Sequence, residues 1–221
     1  MSTKDTSKQS SFFLEGEGDA WFKRNKAAIE NKTEFFDTET IKRVLGPFKS
    51  DINNICEIGC GYGAKLNDLC IHFGAAGYGV DPSAAAVQSG NEKYNNISLS
   101  LSTASNLPYS EAQFDLVIFG FCLCMVDRSE VFKSISEADR ILRNGGFLAV
   151  ADFDPSLRHK RPYHHLPGLY SYKNAYSQFF TAGGHYYLVA KESFSHSSSH
   201  FVTESDERLS ISILYKEPDA Y

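Results

Sequence analysis

Between Ile52 and Phe153 the chain alternates short apolar runs with amphipathic segments, and this rhythm restricts the fold more than any other feature. Runs at Asn54–Ile58, Gly77–Asp81, Ile97–Leu101, Asp115–Phe121 and Gly146–Phe153 have the length and side-chain content of buried strands. Helical spacing recurs between them, near Ala64–Phe73, Ser83–Tyr94 and Ser129–Arg143. In the last of these, Val131, Ile135, Ala138 and Leu142 share one face, and Gly145-Gly146 ends the pattern. Strand and helix in strict alternation imply a parallel sheet with helices on both faces. The expected fold class is therefore α/β, a doubly wound, mostly parallel Rossmann-like sheet.

The flanks modify that plan. Two helices are expected before the first strand, around Gly18–Asn31 and Thr38–Leu45, the second capped by Asp37 or Thr38 and stopped by Gly46-Pro47. After the fifth strand, Leu209–Lys216 alternates apolar and polar residues, and Tyr186–Ala190 is aromatic and β-branched. The polar stretch Ser195–Ser199 between them suits a loop joining an antiparallel pair, so the sheet is expected to finish with a terminal antiparallel strand. Residues 1–12 are Ser-, Thr- and Lys-rich and are expected to be disordered. Residues 13–221 are then one domain: a helical lid over 13–50, a ligand-binding core over 51–153, and a substrate-side region over 154–221.

Bulk properties narrow the partners. A formal net charge of −5 gives no basic face for phosphate neutralisation, so no nucleic acid is expected as partner. The five cysteines are odd in number and lack Cys-x-x-Cys spacing, which suits free thiols in a reducing compartment and no metal. No apolar run reaches the roughly 18 residues of a membrane span, and Met1–Ser11 lacks the apolar core of a secretion signal. A cytoplasmic monomer or homodimer acting on a small molecule is the expectation.

The chemistry concentrates in Ile55-Cys56-Glu57-Ile58-Gly59-Cys60-Gly61-Tyr62-Gly63-Ala64, where a buried strand feeds a glycine-rich turn that opens a helix. Such a turn brings backbone close to a ligand. Taken alone it fits two cofactors. Gly59, Gly61 and Ala64 satisfy the dinucleotide pattern, and Asp81 stands where a ribose-binding acid belongs, as in NAD(P)-dependent oxidoreductases.

The remaining segments separate the two. From about Asn54 to Phe153 the sequence resembles the class I methyltransferases that use S-adenosylmethionine (SAM). Glu57 through Gly61 resembles their first motif, whose acid helps hold the methionine end of SAM; a buried acid beside a pyrophosphate would repel it. Gly77-Tyr-Gly-Val-Asp81 is similar to the second motif, whose acid takes the ribose hydroxyls. Thr103-Ala-Ser-Asn-Leu-Pro-Tyr109 resembles the segment lying against adenine, with Thr103 where an aspartate is common. Asp115–Phe121 resembles the fourth motif, whose end faces the transferring methyl, and Ala138–Phe147 resembles the lead into strand five. The resemblance implies SAM contacts from Glu57, Gly59, Cys60, Gly61 and Gly63, from Asp81 and Pro82, from Thr103 and Ala104, and from Phe119 and Gly120. An oxidoreductase leaves Glu57 and the Thr103–Tyr109 segment without a role. A SAM-binding scaffold without turnover is a third reading, motivated by the uncharged Thr103.

The N-terminal run Glu15-Gly-Glu-Gly-Asp-Ala-Trp-Phe-Lys-Arg-Asn25 resembles an opening, E-G-D-x-W-F-x-R-N, found in a bacterial small-molecule subset of these enzymes. It implies that Arg24 holds the SAM carboxylate and that Trp21 or Phe22 excludes water; the alternative is a helix packing Trp21 and Phe22 on the flank. For the acceptor, the region after strand five offers Asp152, Asp154, Arg158, His159, Lys160, Arg161, Tyr163, His164 and His165. Asp152, His164 and His165 are the candidates for a base, because imidazole titrates near neutrality and carboxylates can be tuned there. Arg158, Lys160 and Arg161 would suit a sugar-linked, phosphorylated or otherwise anionic acceptor. His196 and His200 are expected to decorate a polar loop, and the aromatic stretch Tyr170–Phe180 to pack on the sheet or, alternatively, to wall the acceptor pocket.

Overall fold

A computed structural model describes residues 8–32 and 35–219. Of the tail expected to be disordered, residues 1–7 lie outside the described residues. The remainder is ordered from helix α1 (Gln9–Phe12) onward. Gln9 is buried; its amide donates to the carbonyls of Met125 and Tyr170 and its Oε1 accepts from the Tyr170 amide, contacts a composition argument cannot see.

The expected alternation is present. Strands β1 (Asn54–Ile58), β2 (Ala76–Asp81), β3 (Ile97–Leu101), β4 (Phe114–Gly120) and β5 (Leu142–Phe153) pair in parallel. Helices α4 (Ala64–Phe73), α5 (Ala84–Lys93) and α6 (Arg128–Ile141) make the crossovers. A small antiparallel hairpin, β6 (His159–Pro162) with β7 (Tyr170–Lys173), stands apart from the main sheet. Helix α7 (Gln178–Thr181) leads into β8 (Tyr186–Phe194), and β9 (Leu209–Lys216) closes the chain. The seven-stranded order is β3-β2-β1-β4-β5-β9-β8. Strand β9 inserts antiparallel between β5 and β8, as the alternating tail anticipates.

Side-chain alternation along the strands creates two cores. Ile55, Leu116, Ile118, Ala149 and Ile213 pack under α3 (Phe36–Leu45) and α4. Cys56, Ile58, Val117, Phe119, Leu148 and Val150 pack under α6. Tyr176 and Phe180 join the second core, in line with the packing role expected of that aromatic stretch.

Several boundaries differ from the periodicity. Helix α6 stops at Ile141, because Leu142 pairs with Phe114 before the ladder shifts register and resumes at Leu116 with Phe147. Helix α3 begins after an extended Phe35, and no side chain caps it. Asp37 pairs instead with Lys65, and the Thr38 hydroxyl donates to the Phe35 carbonyl. The five cysteines are free, and four of them are buried.

Candidate functional site

At the carboxyl ends of β1, β2, β4 and β5 the loops diverge around a cavity of about 960 Å³. This is where doubly wound sheets bind ligands, and the volume sits at the upper end of the range of about 300–1,000 Å³ for small-molecule sites. Eleven of the sequence-derived candidates line it: Trp21, Glu57, Gly59, Cys60, Gly61, Asp81, Pro82, Thr103, Ala104 and Gly120, and Tyr163 from the acceptor-side set.

Strand β1 delivers Glu57 to the cavity floor on the face of α4. The residue is 2% exposed, and its Oε2 has no hydrogen-bond partner. Burial pushes its carboxyl up to about 8; nearby Lys65 opposes this, and Asp37 and Asp81 add to it. A buried carboxylate oxygen without a partner is costly unless a donor or cation arrives. Gly120 at the end of β4 makes room for it, since a Cβ there would lie 2.7 Å from Glu57 Oε1.

Asp81, at the tip of the neighbouring β2, accepts from the backbone amides of Gly61 at 2.8 Å and Ser83 at 2.9 Å. Its carboxyl is raised by burial, against the pull of those two amides and with a further push from Asp19. Gly61 has φ 54°, a left-handed conformation that glycine adopts without strain, and a Cβ there would meet nothing within 4 Å. The turn therefore presents bare backbone to the cavity between the two acids.

On the opposite side lie Thr103, Ala104 and Ser105. Ser105 Oγ donates to the buried Glu130, which also takes Lys8 Nζ and Ser10 Oγ. The N-terminal run closes a further wall by docking. A Cβ on Gly18 would come within 3.0 Å of the Pro82 backbone, so α2 (Gly18–Glu30) lies directly on the β2–α5 turn. Phe22 is buried beside Tyr62, with ring centroids 6.0 Å apart, while Trp21 faces the cavity. Cavity wall and flank packing are thus divided between two adjacent residues.

Other candidates stand elsewhere. Arg24 does not line the cavity; it donates to Glu17 and to the Tyr163 hydroxyl, which itself donates to Glu17 at 2.8 Å. Gly63 caps α4, and a Cβ there would strike Ile97, so it serves packing. Phe119 points to the α6 face by strand alternation and packs against Phe180. Asp152 points the same way. Burial raises its carboxyl to about 7, and it accepts the amides of Cys124 and Phe153, holding the loop after β4. His164 and His165 are exposed, outside the cavity lining. None of Arg158, Lys160 and Arg161 lines the cavity: Arg161 pairs with Asp206 and Lys160 sits 4.1 Å over the Tyr170 ring. The grouping expected of an anionic acceptor site is therefore not formed inside it.

Sequence reasoning missed several residues that do line it. Lys65 sits between the rings of Phe35 and Phe121, at 5.3 and 4.9 Å, and pairs with Asp37. Phe121, Phe153, Phe194 and His196 line the far end. Local patterning carries no signal for His196, which reaches the cavity only through the β8–β9 return; Phe121 was named only as the last residue of the segment resembling the fourth motif. Among the described residues no group of His, Cys, Asp and Glu is placed to hold a metal, and no helix is long and apolar enough to cross a membrane.

Known proteins share this fold. A family model described as a methyltransferase domain matches residues 56–150. Demethylmenaquinone methyltransferase of Tropheryma whipplei is 30% identical over 115 residues, which cover 51% of this chain and 46% of that protein. The chain thus spans about half the length of the curated relatives it matches. In solved structures, 1,6-didemethyltoxoflavin-N1-methyltransferase of Burkholderia thailandensis, bound to its substrate and S-adenosylhomocysteine, superposes with a TM-score of 0.70. The superposition covers 98% of both chains at 11% identity. A SAM-dependent methyltransferase of Methanosarcina mazei gives 0.62 at 16% identity, over 76% of this chain and 94% of that one. The protein has the class I methyltransferase fold, and its residues 56–150 match the methyltransferase domain.

Proposed function

We propose that the protein is a SAM-dependent methyltransferase acting on a small-molecule acceptor. The observation that carries this reading is the unpartnered Oε2 of buried Glu57, facing a cavity that also receives Asp81. An ammonium satisfies that oxygen, and a vicinal diol suits the Asp81 carboxylate; a pyrophosphate between two acids does neither. Glu57 is assigned the amine of SAM, Asp81 the ribose hydroxyls, Gly59 to Gly61 the close backbone wall, and Thr103 with Ala104 the adenine side. Lys65, which lines the cavity while paired with Asp37, is assigned the methionine carboxylate in place of Arg24, which stands outside the cavity on Glu17 and Tyr163.

When bound, SAM supplies a methyl group on a sulfonium. The chain's own task is then placement and exclusion of water. Gly120 keeps Glu57 in its place, Trp21 and the docked α2 shield one side, and the rings of Phe121 and Phe153 dry the acceptor side. Holding an acceptor atom about 3 Å from the carbon, in line with the leaving sulfur, supplies much of the acceleration.

Titration calorimetry with SAM, S-adenosylhomocysteine and NAD tests the reading. Saturable binding of the first two and none of NAD is expected. Binding of NAD alone would reverse it in favour of the oxidoreductase.

A further inference from the structure

The far end of the cavity is a chamber of rings. Phe194 packs at a tilt of 48° against Phe36, with centroids 4.8 Å apart, and meets Phe121 edge-on at 6.2 Å. The imidazole of His196 lies between Phe121, at 6.3 Å, and Phe153, at 6.0 Å. Phe121 has φ 56°, a left-handed conformation rare for a bulky residue, and its amide donates to the Ala151 carbonyl at 2.9 Å. Strain of this kind persists where surrounding structure holds a side chain in a required place, often at a ligand site. Here it directs the Phe121 ring into the cavity. The polar groups at this end, besides His196, are hydroxyls of Ser195 and Ser197–Ser199 and two ammonium groups, Lys65 at 4.9 Å from the Phe121 ring and Lys173 at 4.0 Å from the Phe153 ring.

Resting on the methyltransferase reading, we infer that this chamber takes an acceptor with a planar aromatic ring bearing an ionisable hydroxyl, and that His196 takes the hydroxyl proton during transfer. Flat rings stack on Phe121 and Phe153 with a gain beyond area burial. The acceptor oxygen forms a bond to the methyl carbon as the carbon–sulfur bond breaks, its electron pair passing to sulfur. The products are the methyl ether, S-adenosylhomocysteine and a protonated His196, which then releases its proton to solvent. Burial, with Lys32 and Lys173, lowers the titration of His196 from its ordinary value, and Glu207 opposes this. The ring is therefore neutral, with a lone pair free, through the neutral pH range.

The test uses the full chain saturated with S-adenosylhomocysteine, with 2-naphthol as probe and its saturated counterpart 2-decalol as control. Calorimetry should show 2-naphthol binding about tenfold more tightly, a preference that Phe121→Leu abolishes in the chain still saturated with S-adenosylhomocysteine. With SAM, methyl transfer to 2-naphthol should fall about 10²–10⁴-fold in His196→Gln with little change in 2-naphthol affinity. The wild-type rate should decline as pH falls below the ordinary imidazole range, a limb absent from His196→Gln. Equal affinity for the two probes, no affinity for either, no transfer to 2-naphthol, or an unaltered rate in His196→Gln would each overturn the inference. Failure of S-adenosylhomocysteine itself to bind would instead overturn the methyltransferase reading on which it rests.

Discussion

The carboxylate of Asp19 accepts from the hydroxyl of Ser83 at 2.7 Å, although 64 residues separate them in the chain. The same oxygen accepts the backbone amide of Ala85 at 2.9 Å, while Ser83 Oγ accepts that of Ala86. A side chain from α2 thus helps cap α5, immediately after the acid assigned to the ribose. Anions at a helix N-terminus are stabilising because the unpaired amides carry partial positive charge. The N-terminal segment is fastened to the site by the turn it covers.

Replacing Asp19 with alanine should loosen that fastening without unfolding the sheet. The loss of charge-assisted hydrogen bonds is worth about 1–3 kcal/mol locally. Amide exchange across α2 should accelerate while β1, β4 and β5 retain protection. Unchanged exchange in α2 would mean that Gly18 and Phe22 hold the segment unaided.

Gly120→Ala is expected to damage cofactor binding while sparing the fold. Its Cβ would fall 2.7 Å from Glu57 Oε1, so the carboxylate must move. A displaced partner for the SAM amine costs about 1.5–3 kcal/mol, or at least tenfold in affinity. Equal SAM affinity in calorimetry would dissociate Glu57 from the amine.

Asp81→Ala should weaken SAM binding by about 1–3 kcal/mol. It should also lower the melting temperature, because the Gly61 and Ser83 amides lose their acceptor. Asp81→Asn keeps one oxygen and should recover part of the stability but less of the binding. Wild-type affinity in both variants would remove the ribose from β2.

The pH dependence of binding follows from Glu57. Its carboxyl is raised to about 8 in the free chain, so it holds a proton at neutral pH. An ammonium ligand favours the ionised form, so binding must release that proton. SAM affinity should therefore rise as pH climbs towards about 8, with a measured heat that varies with the buffer's ionisation enthalpy. The stability of the free chain runs the other way. A carboxyl raised on folding binds its proton more tightly in the folded state, so stability declines as pH climbs from its ordinary value of 4.5 through 8. Glu57→Gln should flatten both slopes; if the wild type shows neither, the carboxylate is already paired.

The sheet was legible because its determinants are local. Each strand from Asn54 to Phe153 announces itself as a short apolar run, and Gly59, Gly61 and Gly63 mark one turn whose backbone needs are met within a few residues. The tail Leu209–Lys216 shows period-two alternation that only a strand satisfies. Glu57 and Asp81 were legible for the same reason: they stand at or next to the end of β1 and β2, and parallel neighbours bring those ends together.

Placement of side chains around those ends was not legible. Phe119 and Asp152 lie on strands bound for the cavity, yet alternation turns them to the α6 face, and one residue of phase decides the matter. Arg24 is spent on Glu17 and Tyr163, a residue 139 positions later. His164 and His165 sit nearer β5 in the chain than His196, but the β6–β7 hairpin leaves them exposed while the β8–β9 loop carries His196 between Phe121 and Phe153.

By itself, the sequence determined the order of strands and helices, the bare turn after β1 and the two acids beside it, because periodicity and backbone sterics act within a few residues. Only the tertiary structure decided which helix α2 caps, which carboxylate is left without a partner, and which histidine reaches the cavity. Those outcomes depend on contacts between segments tens of residues apart, and no local pattern encodes how distant loops meet.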